Sequence, residues 1–431
     1  MNYAIKGGAP LAGSIDTNTS KNAATALLCA ALLNRGQTTL VRMPRIEEVN
    51  RIIEVLVSIG VEVAWRDSDV ILTPPKKLRL KEMDEVAAGR TRSIIMLAGV
   101  LSHWSDDFLL PVPGGCDLGS RSLTAHIDAL DTLGINLEGT AKGWRVCSEK
   151  KRVAEIVMWE ASDTGTEQAV MAAVLIPGIT TIRFASANYM VQDMCVFLES
   201  LGVRIDGIGT TTLVVHGVEK IDGEHVGQPS EDPIEAMFFL ALAATLKAPL
   251  TIKSVPIDFL EIELLYLSKM GLRYTRSKSY IGGNGWTRLV DLTIKPSKLT
   301  AIPEKIAPLP YPGLNIDNLP FFVPIATQAA GRTLIHDWVY ENRAIYYVEM
   351  NKLGADIVLA DPHRVFVNGP TSFRSADIEA PPALRPATTL LIGMLGAEGE
   401  STLRNVYPIN RGYERLHERL KKLGAHIEAY E

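Results

Sequence analysis

A helix that ends in a glycine and leads into an alternating strand occurs six times along this chain, and this repeat constrains the fold more than any other feature. Each copy has the pattern apolar-Gly-apolar-x-apolar, with successive glycines roughly 70 to 80 residues apart. Glycine commonly ends helices in a left-handed conformation, and alternating apolar positions indicate a half-buried strand. The sequence therefore predicts six copies of one α/β unit. Their glycines are Gly60, Gly134, Gly202, Gly271, Gly354 and Gly424.

Each copy also has a regular order of elements before its glycine. In the first copy a helix is predicted over residues 21–33, a strand over 37–41 and a second helix over 45–59. The first helix of the copies is almost wholly apolar, which predicts that it is buried. The fold class that follows is α/β, built from units of the βαβαββ type whose first helices lie inside a ring of sheets.

Two domains of three copies each are expected. The chain of 431 residues is longer than one hydrophobic core usually supports. A polar, proline-containing stretch at residues 226–233 has the composition of an interdomain crossing. Residues 21–227 are predicted to form an N-terminal lobe. Residues 1–20 are predicted to join residues 228–431 in a discontinuous C-terminal lobe, because the first strand, at residues 3–6, precedes copy one and can complete that lobe.

Composition and charge argue against several classes of function. The net charge of -5 argues against nonspecific nucleic-acid binding, and no apolar stretch is long enough for a membrane span. The first residues lack the apolar core of a secretory signal. Cys29, Cys116, Cys147 and Cys195 lie too far apart to suggest a zinc site or a disulfide scaffold. A cytoplasmic location is therefore expected, with Cys29 and Cys195 buried in apolar helices.

The stretch over residues 111–121 is predicted to be a loop that carries Cys116, since it contains two prolines and three glycines. A thiol in a glycine-rich loop, near a cation and the start of a helix, is favoured in its nucleophilic thiolate form. On these residues alone, an ordinary mobile loop with an incidental cysteine is the alternative interpretation.

Basic residues recur at the predicted starts of helices. A positive charge is unfavourable there because the helix dipole already places partial positive charge in the first turn. Repeated placement is explained if an anion is bound among these residues; for any single one, a solvated surface charge is the alternative. Asp317 lies at an equivalent predicted helix start but carries a negative charge. It is interpreted either as a general base or as a simple N-cap residue. The basic residues are Lys21, Arg92, Arg121, Arg343, Arg385 and Arg411.

Six short segments together give nearly the whole chain a resemblance to the enolpyruvyl transferase family. The cysteine loop is the most discriminating of them, because the shikimate-pathway relative shares the six-unit architecture but is not expected to carry it. The segments are residues 5–8, 20–24, 113–116 with Gly119 and Arg121, 312–313 with Asp317, 340–343, and 409–415.

The resemblance implies two inside-out α/β barrel-like domains, each made of three βαβαββ-type repeats, that close on substrates. It also implies transfer of the enolpyruvyl group of phosphoenolpyruvate to a sugar 3-hydroxyl with release of phosphate. No metal or redox cofactor is implied. The expected partners are small molecules, phosphoenolpyruvate and a sugar nucleotide, with UDP-N-acetylglucosamine as the leading acceptor and peptidoglycan synthesis as the pathway.

Roles for individual residues also come from the resemblance. Lys21, Arg121 and Arg411 would bind phosphoenolpyruvate, with Asn22 and Arg92 close by. Asp317 would take the proton from the acceptor hydroxyl. Cys116 would act from a lid as a proton donor or as a covalent acceptor of the phosphoenolpyruvate unit. Arg343 and Arg385 would support the charge network. The remaining substrate-binding residues would be Ser122, Leu123, Thr124, Ser162, Asp163 and Val339.

The sequence departs from the family where the acceptor is expected to bind. Residues 122–126 read Ser-Leu-Thr-Ala-His, whereas the family usually has Pro-Val-Asp-Leu-His there. Glu160 and Asp163 place two carboxylates where a diphosphate is expected, and Ala383 replaces a customary aspartate. Two alternatives therefore stand beside the leading hypothesis. One is the same transfer onto a different nucleotide or sugar hydroxyl, and the other is a non-catalytic binding paralogue.

Overall fold

The structure of the protein is a computed structural model that describes residues 1–114, 122–148 and 150–431. None of the helices within these ranges combines the length and the apolar character that crossing a membrane requires. Cys116 and Arg121 lie outside the described residues. Cys29 and Cys195 are buried, as their apolar surroundings predicted.

The chain forms two compact units. The N-terminal unit contains residues 19–114 and 122–230, and the C-terminal unit contains residues 1–18 and 231–431. The C-terminal unit thus begins with the first two strands of the chain. These are β1 (Asn2–Gly7) and β2 (Gly13–Asp16).

The N-terminal unit contains three copies of the predicted repeat. The first comprises α1 (Lys21–Ala30), β3 (Thr38–Leu40), α2 (Glu47–Ser58), β4 (Glu62–Arg66) and β5 (Asp69–Thr73). The second comprises α3 (Glu85–Ala88), α4 (Leu97–Leu101), β6 (Asp107–Pro111), α5 (Thr124–Thr132), β7 (Asn136–Thr140) and β8 (Gly143–Cys147). The third comprises β9 (Glu155–Val157), α6 (Asp163–Ala173), β10 (Gly178–Arg183), α7 (Tyr189–Ser200), β11 (Arg204–Asp206), β12 (Thr212–Gly217) and β13 (His225–Gly227). Short 3-10 helices lie at Ala31–Leu33, Leu80–Glu82 and Arg92–Met96.

The C-terminal unit contains the other three copies. The fourth comprises α8 (Pro233–Leu246), β14 (Leu250–Pro256), α9 (Glu261–Lys269), β15 (Arg273–Arg276), β16 (Tyr280–Ile281) and β17 (Arg288–Lys295). The fifth comprises β18 (Leu299–Thr300), α10 (Phe322–Ala326), β19 (Ala329–His336), β20 (Asp356–Asp361) and β21 (Arg364–Gly369). The sixth comprises β22 (Asp377–Glu379), α11 (Leu384–Gly396), β23 (Gly399–Arg404), α12 (Tyr407–Asn410), α13 (Leu416–Lys422) and β24 (His426–Tyr430). The 3-10 helices here are Ile257–Phe259, Leu319–Phe321 and Ala344–Leu353.

The sheets repeat one strand order. In the first copy β5 lies between β3 and β4 and is antiparallel to both, and β13 adds a parallel fourth strand. The sixth copy follows the same order only because β1 takes the middle place, antiparallel to β23 and β24. The first strand of the chain therefore lies in the sheet of the sixth copy.

Parallel strands close each set of three sheets into a ring. In the N-terminal unit β13, which follows the third copy, pairs with β3 of the first copy. In the C-terminal unit β2, which follows β1 of the sixth copy, pairs with β14 of the fourth. In each unit a strand that follows the last repeat therefore lies in the sheet of the first repeat.

The first helices of the repeats are buried inside these rings. In α8 every residue from Pro233 to Thr245 is buried, and α8, α10 and α11 contact one another. A helix that is apolar on all sides is stable only when it is enclosed in this way. The six signature glycines all have positive φ, between +82° and +100°, so each ends its helix as predicted. The predicted α/β fold class is confirmed.

Several predicted helix starts are wrong by a few residues. Arg411 does not begin a helix: α12 begins at Tyr407, with Pro408 in its first turn, and Arg411 is its C-terminal capping residue. Proline is favourable in a first turn, which explains the earlier start. Arg45 lies two residues before α2, and α5 begins at Thr124 rather than near Arg121. The unfavourable interaction between a positive charge and the start of a helix, which was expected for Arg411, therefore does not arise.

Other predicted starts agree with the structure. Lys21 and Arg92 are the first residues of α1 and of a 3-10 helix, and Arg385 is the second residue of α11. Arg343 caps the 3-10 helix at Ala344–Leu353, which takes the place of the α-helix expected there. Asp317 is not an N-cap, since Asn318 occupies the capping position of the next helix. The carboxylate of Asp317 is therefore not explained by capping.

Candidate active site

In the N-terminal unit, the first turn of α1 is fixed by hydroxyl groups. The hydroxyl of Ser20 accepts a hydrogen bond from the backbone N–H of Ala23 at 3.3 Å and so caps the helix. Ser20 Oγ also donates to the phenol oxygen of Tyr189 at 3.0 Å, and Asn22 Nδ2 donates to the same oxygen at 3.3 Å. Lys21, which lies between these two residues, is therefore held at the junction of α1 and α7.

A buried carboxyl group lies within electrostatic reach of Lys21. Glu167 on α6 is fully buried, and this burial raises its pKa well above the ordinary value. The neighbouring charges of Asp163 and Asp193 raise the pKa of Glu167 further, while Lys21 lowers it. Within the described part of the chain, Glu167 Oε1 has no hydrogen-bond partner. Sequence reasoning missed Glu167, although a charge in a helix this rich in apolar residues is a usable signal.

The carboxylate of Asp163 joins α6 to the start of α7. It accepts hydrogen bonds from the hydroxyl of Ser186 and, at 3.1 Å, from Asn188 Nδ2. Ser162 caps α6 by accepting from the backbone N–H of Gly165 at 3.2 Å. Both oxygens of Asp163 are thus bound by groups of the same unit.

The start of α5 lies next to Arg92. Arg92 Nη2 donates to the carbonyl oxygen of Ser122 at 3.2 Å. The exposed hydroxyl of Ser122 accepts from the backbone N–H of Thr124 at 2.9 Å, and Leu123 between them is half-buried. The structure thus brings Arg92 together with the predicted acceptor residues Ser122 to Thr124.

In the C-terminal unit, Asp317 lies beside two guanidinium groups. Asp317 Oδ1 is 3.9 Å from Arg343 Nη1, and Oδ2 is 3.7 Å from Arg385 Nη2. The Asp317 side chain is 26% exposed, whereas those of Arg343 and Arg385 are 1% and 7% exposed. A partly accessible carboxylate therefore stands in front of two buried cations, and the three predicted residues are brought together.

Arg343 is held by a buried ion pair. Its Nε and Nη2 atoms donate to the two oxygens of Asp337 at 2.6 and 3.0 Å, and Nη2 also donates to the carbonyl oxygen of Ile316 at 2.8 Å. The hydroxyl of Tyr347 donates to Asp337 at 2.6 Å. Burial opposes the charge of Arg343, but the carboxylate of Asp337 offsets this and raises the pKa of Arg343. The guanidinium is thus charged and fixed in place.

Arg385 contacts Tyr413 and lies within electrostatic reach of a second acidic group. Arg385 Nη1 donates to the phenol oxygen of Tyr413 at 3.2 Å, and the guanidinium lies 5.6 Å from the centre of that ring. Burial raises the pKa of Asp232 to about 6, and the charge of Arg385 acts against this rise. Sequence reasoning missed Asp232, Asp337, Tyr347 and Tyr413 as partners of the two arginines.

A buried glutamate lies under the segment that carries Asp317. Glu263 Oε1 accepts hydrogen bonds from the backbone N–H of Asn315 at 3.1 Å and from Asn318 Nδ2 at 2.8 Å. Burial raises the pKa of Glu263 to about 7, against the lowering effect of the Asn318 hydrogen bond.

Two further predicted residues lie in the C-terminal unit. Val339 is 44% exposed and lies two residues after Asp337. Arg411 is half-buried and lies two residues before Tyr413, which binds Arg385. Both are close in sequence to the network around Asp317.

In the C-terminal unit a carboxylate lies beside two buried guanidinium groups, an arrangement suited to proton transfer next to an anion. Two units of three α/β repeats each are the architecture expected of the enolpyruvyl transferase class. A family model, EPSP synthase (3-phosphoshikimate 1-carboxyvinyltransferase), matches residues 5–420, and the chain belongs to this family.

The chain is similar over nearly its full length to curated relatives. It is 32% identical over 430 residues to the UDP-N-acetylglucosamine 1-carboxyvinyltransferase of Bradyrhizobium diazoefficiens, covering 99% of this chain and 98% of the relative. It is 34% identical over 439 residues to the protein of the same name from Treponema denticola, covering 100% of this chain and 99% of the relative. The resemblance inferred from the six segments is confirmed.

Solved structures agree on the fold. The enolpyruvyl transferase NikO from Streptomyces tendae superposes with a TM-score of 0.82 at 23% identity, over 99% of this chain and 98% of that one. An EPSP synthase from Acinetobacter baumannii gives a TM-score of 0.76 at 18% identity, over 99% and 100% of the two chains. At these identities the likeness supports the fold alone.

Proposed function

We propose that this chain transfers the enolpyruvyl group of phosphoenolpyruvate to the 3-hydroxyl of UDP-N-acetylglucosamine and releases phosphate. The observation that carries the proposal is the 32–34% identity, over almost the whole of both chains, to relatives named for this reaction. The substrates would be small molecules, the product would be a peptidoglycan precursor, and the reaction would take place in the cytoplasm.

The chemistry needs an acid, a base and anion-binding groups. The acceptor oxygen forms a bond to C2 of phosphoenolpyruvate as its proton leaves and C3 gains a proton. The resulting tetrahedral intermediate still carries its phosphate. Breaking the bond from C2 to the phosphate oxygen, with loss of a proton from C3, then restores the double bond and releases phosphate. Groups that stabilise the charge that develops in these steps lower the barrier.

Asp317 is the proposed base for the acceptor hydroxyl. Its partial exposure makes the carboxylate accessible, and Arg343 and Arg385 fix its surroundings. Buried Asp337 holds Arg343, so the guanidinium cannot turn freely toward or away from Asp317. This rigidity supports a base whose position is set before the substrate binds.

The proposed phosphoenolpyruvate groups are Lys21, Asn22, Arg92, Arg121 and Arg411. Lys21 is the first residue of α1, where the positive end of the helix dipole also favours an anion. Cys116 is proposed as the proton donor or covalent acceptor. The roles of Cys116 and Arg121 rest on the family resemblance, since both lie outside the described residues.

The proposed acceptor side comprises Ser122, Leu123, Thr124, Ser162, Asp163 and Val339. A second candidate function, the same transfer onto another nucleotide or sugar hydroxyl, is favoured by one observation. Asp163 places a carboxylate at the start of α6, where the family resemblance puts a diphosphate, and like charges repel. The hydroxyl of Ser186 and the amide of Asn188 donate hydrogen bonds to this carboxylate.

One assay tests the two functions. Phosphate release from phosphoenolpyruvate is measured with UDP-N-acetylglucosamine and then with a panel of nucleotides and sugars. Release with UDP-N-acetylglucosamine at the highest kcat/KM supports the leading proposal, and release only with another acceptor supports the second. Binding of phosphoenolpyruvate without release for any acceptor would instead identify a non-catalytic paralogue.

A further inference from the structure

We infer that Glu263 is a positioning residue that holds the loop carrying Asp317. This loop, residues 311–318, is called the base loop below. The inference rests on the proposed function, in which the carboxylate of Asp317 accepts the proton of the acceptor hydroxyl.

The hydrogen bonds of Glu263 reach both sides of Asp317. Oε1 accepts from the backbone N–H of Asn315 at 3.1 Å and from the side chain of Asn318 at 2.8 Å. The side-chain oxygen of Asn315 in turn accepts from the backbone N–H of Asp317 at 2.8 Å. A single carboxylate oxygen on α9 therefore fixes the residues that flank the proposed base.

Packing alone does not account for a glutamate at this place. The side chain is 1% exposed, and its Oε2 atom has no hydrogen-bond partner among the residues the structure describes. An unpaired buried acceptor lowers stability, and an apolar side chain on α9 would avoid this loss. A destabilising group that is tied directly to the base loop is consistent with a role in holding that loop.

The two ionisation states of Glu263 differ in how strongly they hold the loop. An ionised carboxylate accepts hydrogen bonds more strongly than a protonated one. Since burial raises the pKa of Glu263 to about 7, the strength of these bonds changes near neutral pH.

Nearby titratable groups are engaged in other contacts. Asp258, on the 3-10 helix before α9, pairs with Arg288, and Glu261 on α9 pairs with Arg276. Tyr266 on α9 contacts the ring of Phe322. On the base loop, the hydroxyl of Tyr311 donates to the carbonyl oxygen of Asp258 at 3.4 Å, and Asp317 lies beside Arg343 and Arg385.

Three variants of α9 test the inference: Glu263→Ala, Glu263→Gln and Leu267→Ala. Glu263→Ala removes the acceptor, and we expect kcat to fall by about 10²-fold with little change in KM, since a small displacement of a reacting group has this effect. Glu263→Gln keeps a neutral acceptor at the same place and should restore most of kcat. Leu267→Ala removes a buried side chain on the same helix and controls for general loss of stability.

Amide hydrogen exchange of the base loop provides a readout that is independent of turnover. We expect faster exchange at Asn315 and Asp317 in Glu263→Ala than in Glu263→Gln or Leu267→Ala. The kcat of the wild type should also rise with pH through about 7, by much less than the loss in Glu263→Ala, because the ionised form holds the loop more firmly; Glu263→Gln should lack this small rise.

The outcomes separate this inference from the proposed function. If Glu263→Ala exchanges its base loop at the wild-type rate, Glu263 does not hold the loop. If Leu267→Ala loses kcat and protection to the same extent as Glu263→Ala, the role is merely structural. If the wild type releases no phosphate with any acceptor, the proposed function fails and Glu263 does not position a base, whatever the exchange rates show about the loop.

Discussion

The two units hold their basic helix starts in different ways. In the C-terminal unit, Arg343 is fixed by a buried ion pair with Asp337, to which Tyr347 adds a hydrogen bond. In the N-terminal unit, the turn that carries Lys21 is fixed by the neutral hydroxyls of Ser20 and Tyr189. A buried ion pair fixes geometry firmly but is costly to break, whereas neutral hydrogen bonds are individually weaker. The C-terminal unit therefore has the more rigid site and the N-terminal unit the more adaptable one.

Substitution of Asp317, the proposed base in the C-terminal unit, should have the largest effect on activity. Asp317→Asn keeps the shape of the side chain but cannot accept a proton, so we expect kcat to fall by about 10²–10⁴-fold. Binding of phosphoenolpyruvate, measured by calorimetry, should remain close to the wild-type value. Asp361→Asn is the matched control, because Asp361 is a surface carboxylate of the same unit that pairs with Arg364. Wild-type turnover in Asp317→Asn would remove the base assignment.

Breaking the buried ion pair should cost the most stability. Arg343→Met leaves Asp337 buried and without its cation, and we expect a loss of about 3–5 kcal/mol in the free energy of unfolding, measured in urea. The exposed pair of Arg364 and Asp361 offers a comparison, because Arg364→Met should cost far less stability than Arg343→Met. Equal losses in the two variants would contradict the rigid character of the C-terminal site.

The same measurement on a buried acid of the N-terminal unit sharpens this contrast. Glu167 has the like charges of Asp163 and Asp193 close to it, and its Oε1 atom has no partner in the described ranges. Glu167→Gln should therefore leave the free energy of unfolding at or above that of the wild type. A loss as large as that of Arg343→Met would mean that the two units depend on buried charge to the same degree.

The repeat architecture could be predicted from the sequence because its signals are local. A glycine that ends a helix commonly adopts positive φ, and all six signature glycines do. The almost wholly apolar sequence of α8 likewise predicts that this helix is buried, as it is in the structure. The position of Arg411 was predicted wrongly because α12 begins four residues earlier, at Tyr407, with Pro408 in its first turn.

The partners that fix the site could not be predicted in the same way. Glu263 and Asn315 are 52 residues apart, and their hydrogen bond exists only because the fold brings α9 under the base loop. Asp337 lies near the motif at residues 340–343, yet nothing local indicates that it binds Arg343 rather than solvent. Such pairings are set by tertiary structure, which a motif of a few residues does not contain.

The ionisation of Glu263 should make the stability of the protein depend on pH. Its pKa is about 7 in the folded protein, above the ordinary value of 4.5, so ionisation opposes folding. The stability that protonated Glu263 gives the folded protein is fully present below pH 4.5 and is lost as the pH rises through 7. The free energy of unfolding changes by about 3 kcal/mol at most. Urea titrations of the wild type and of Glu263→Gln isolate it, because other buried acids contribute equally to both proteins. If the free energy of unfolding changed with pH in the same way in both proteins, Glu263 would not be the group whose ionisation causes the change.

The smallest expected effect concerns the neutral hydroxyls of the N-terminal unit. Ser20 and Ser162 both cap helices, but Ser20 also donates to Tyr189. Ser162→Ala should therefore cost about 1 kcal/mol and Ser20→Ala up to about 2 kcal/mol in the free energy of unfolding. In a Tyr189→Phe background the excess should disappear, since the phenol oxygen that accepts from Ser20 is absent. A difference that persists in that background would show that Tyr189 does not fix the turn of Lys21.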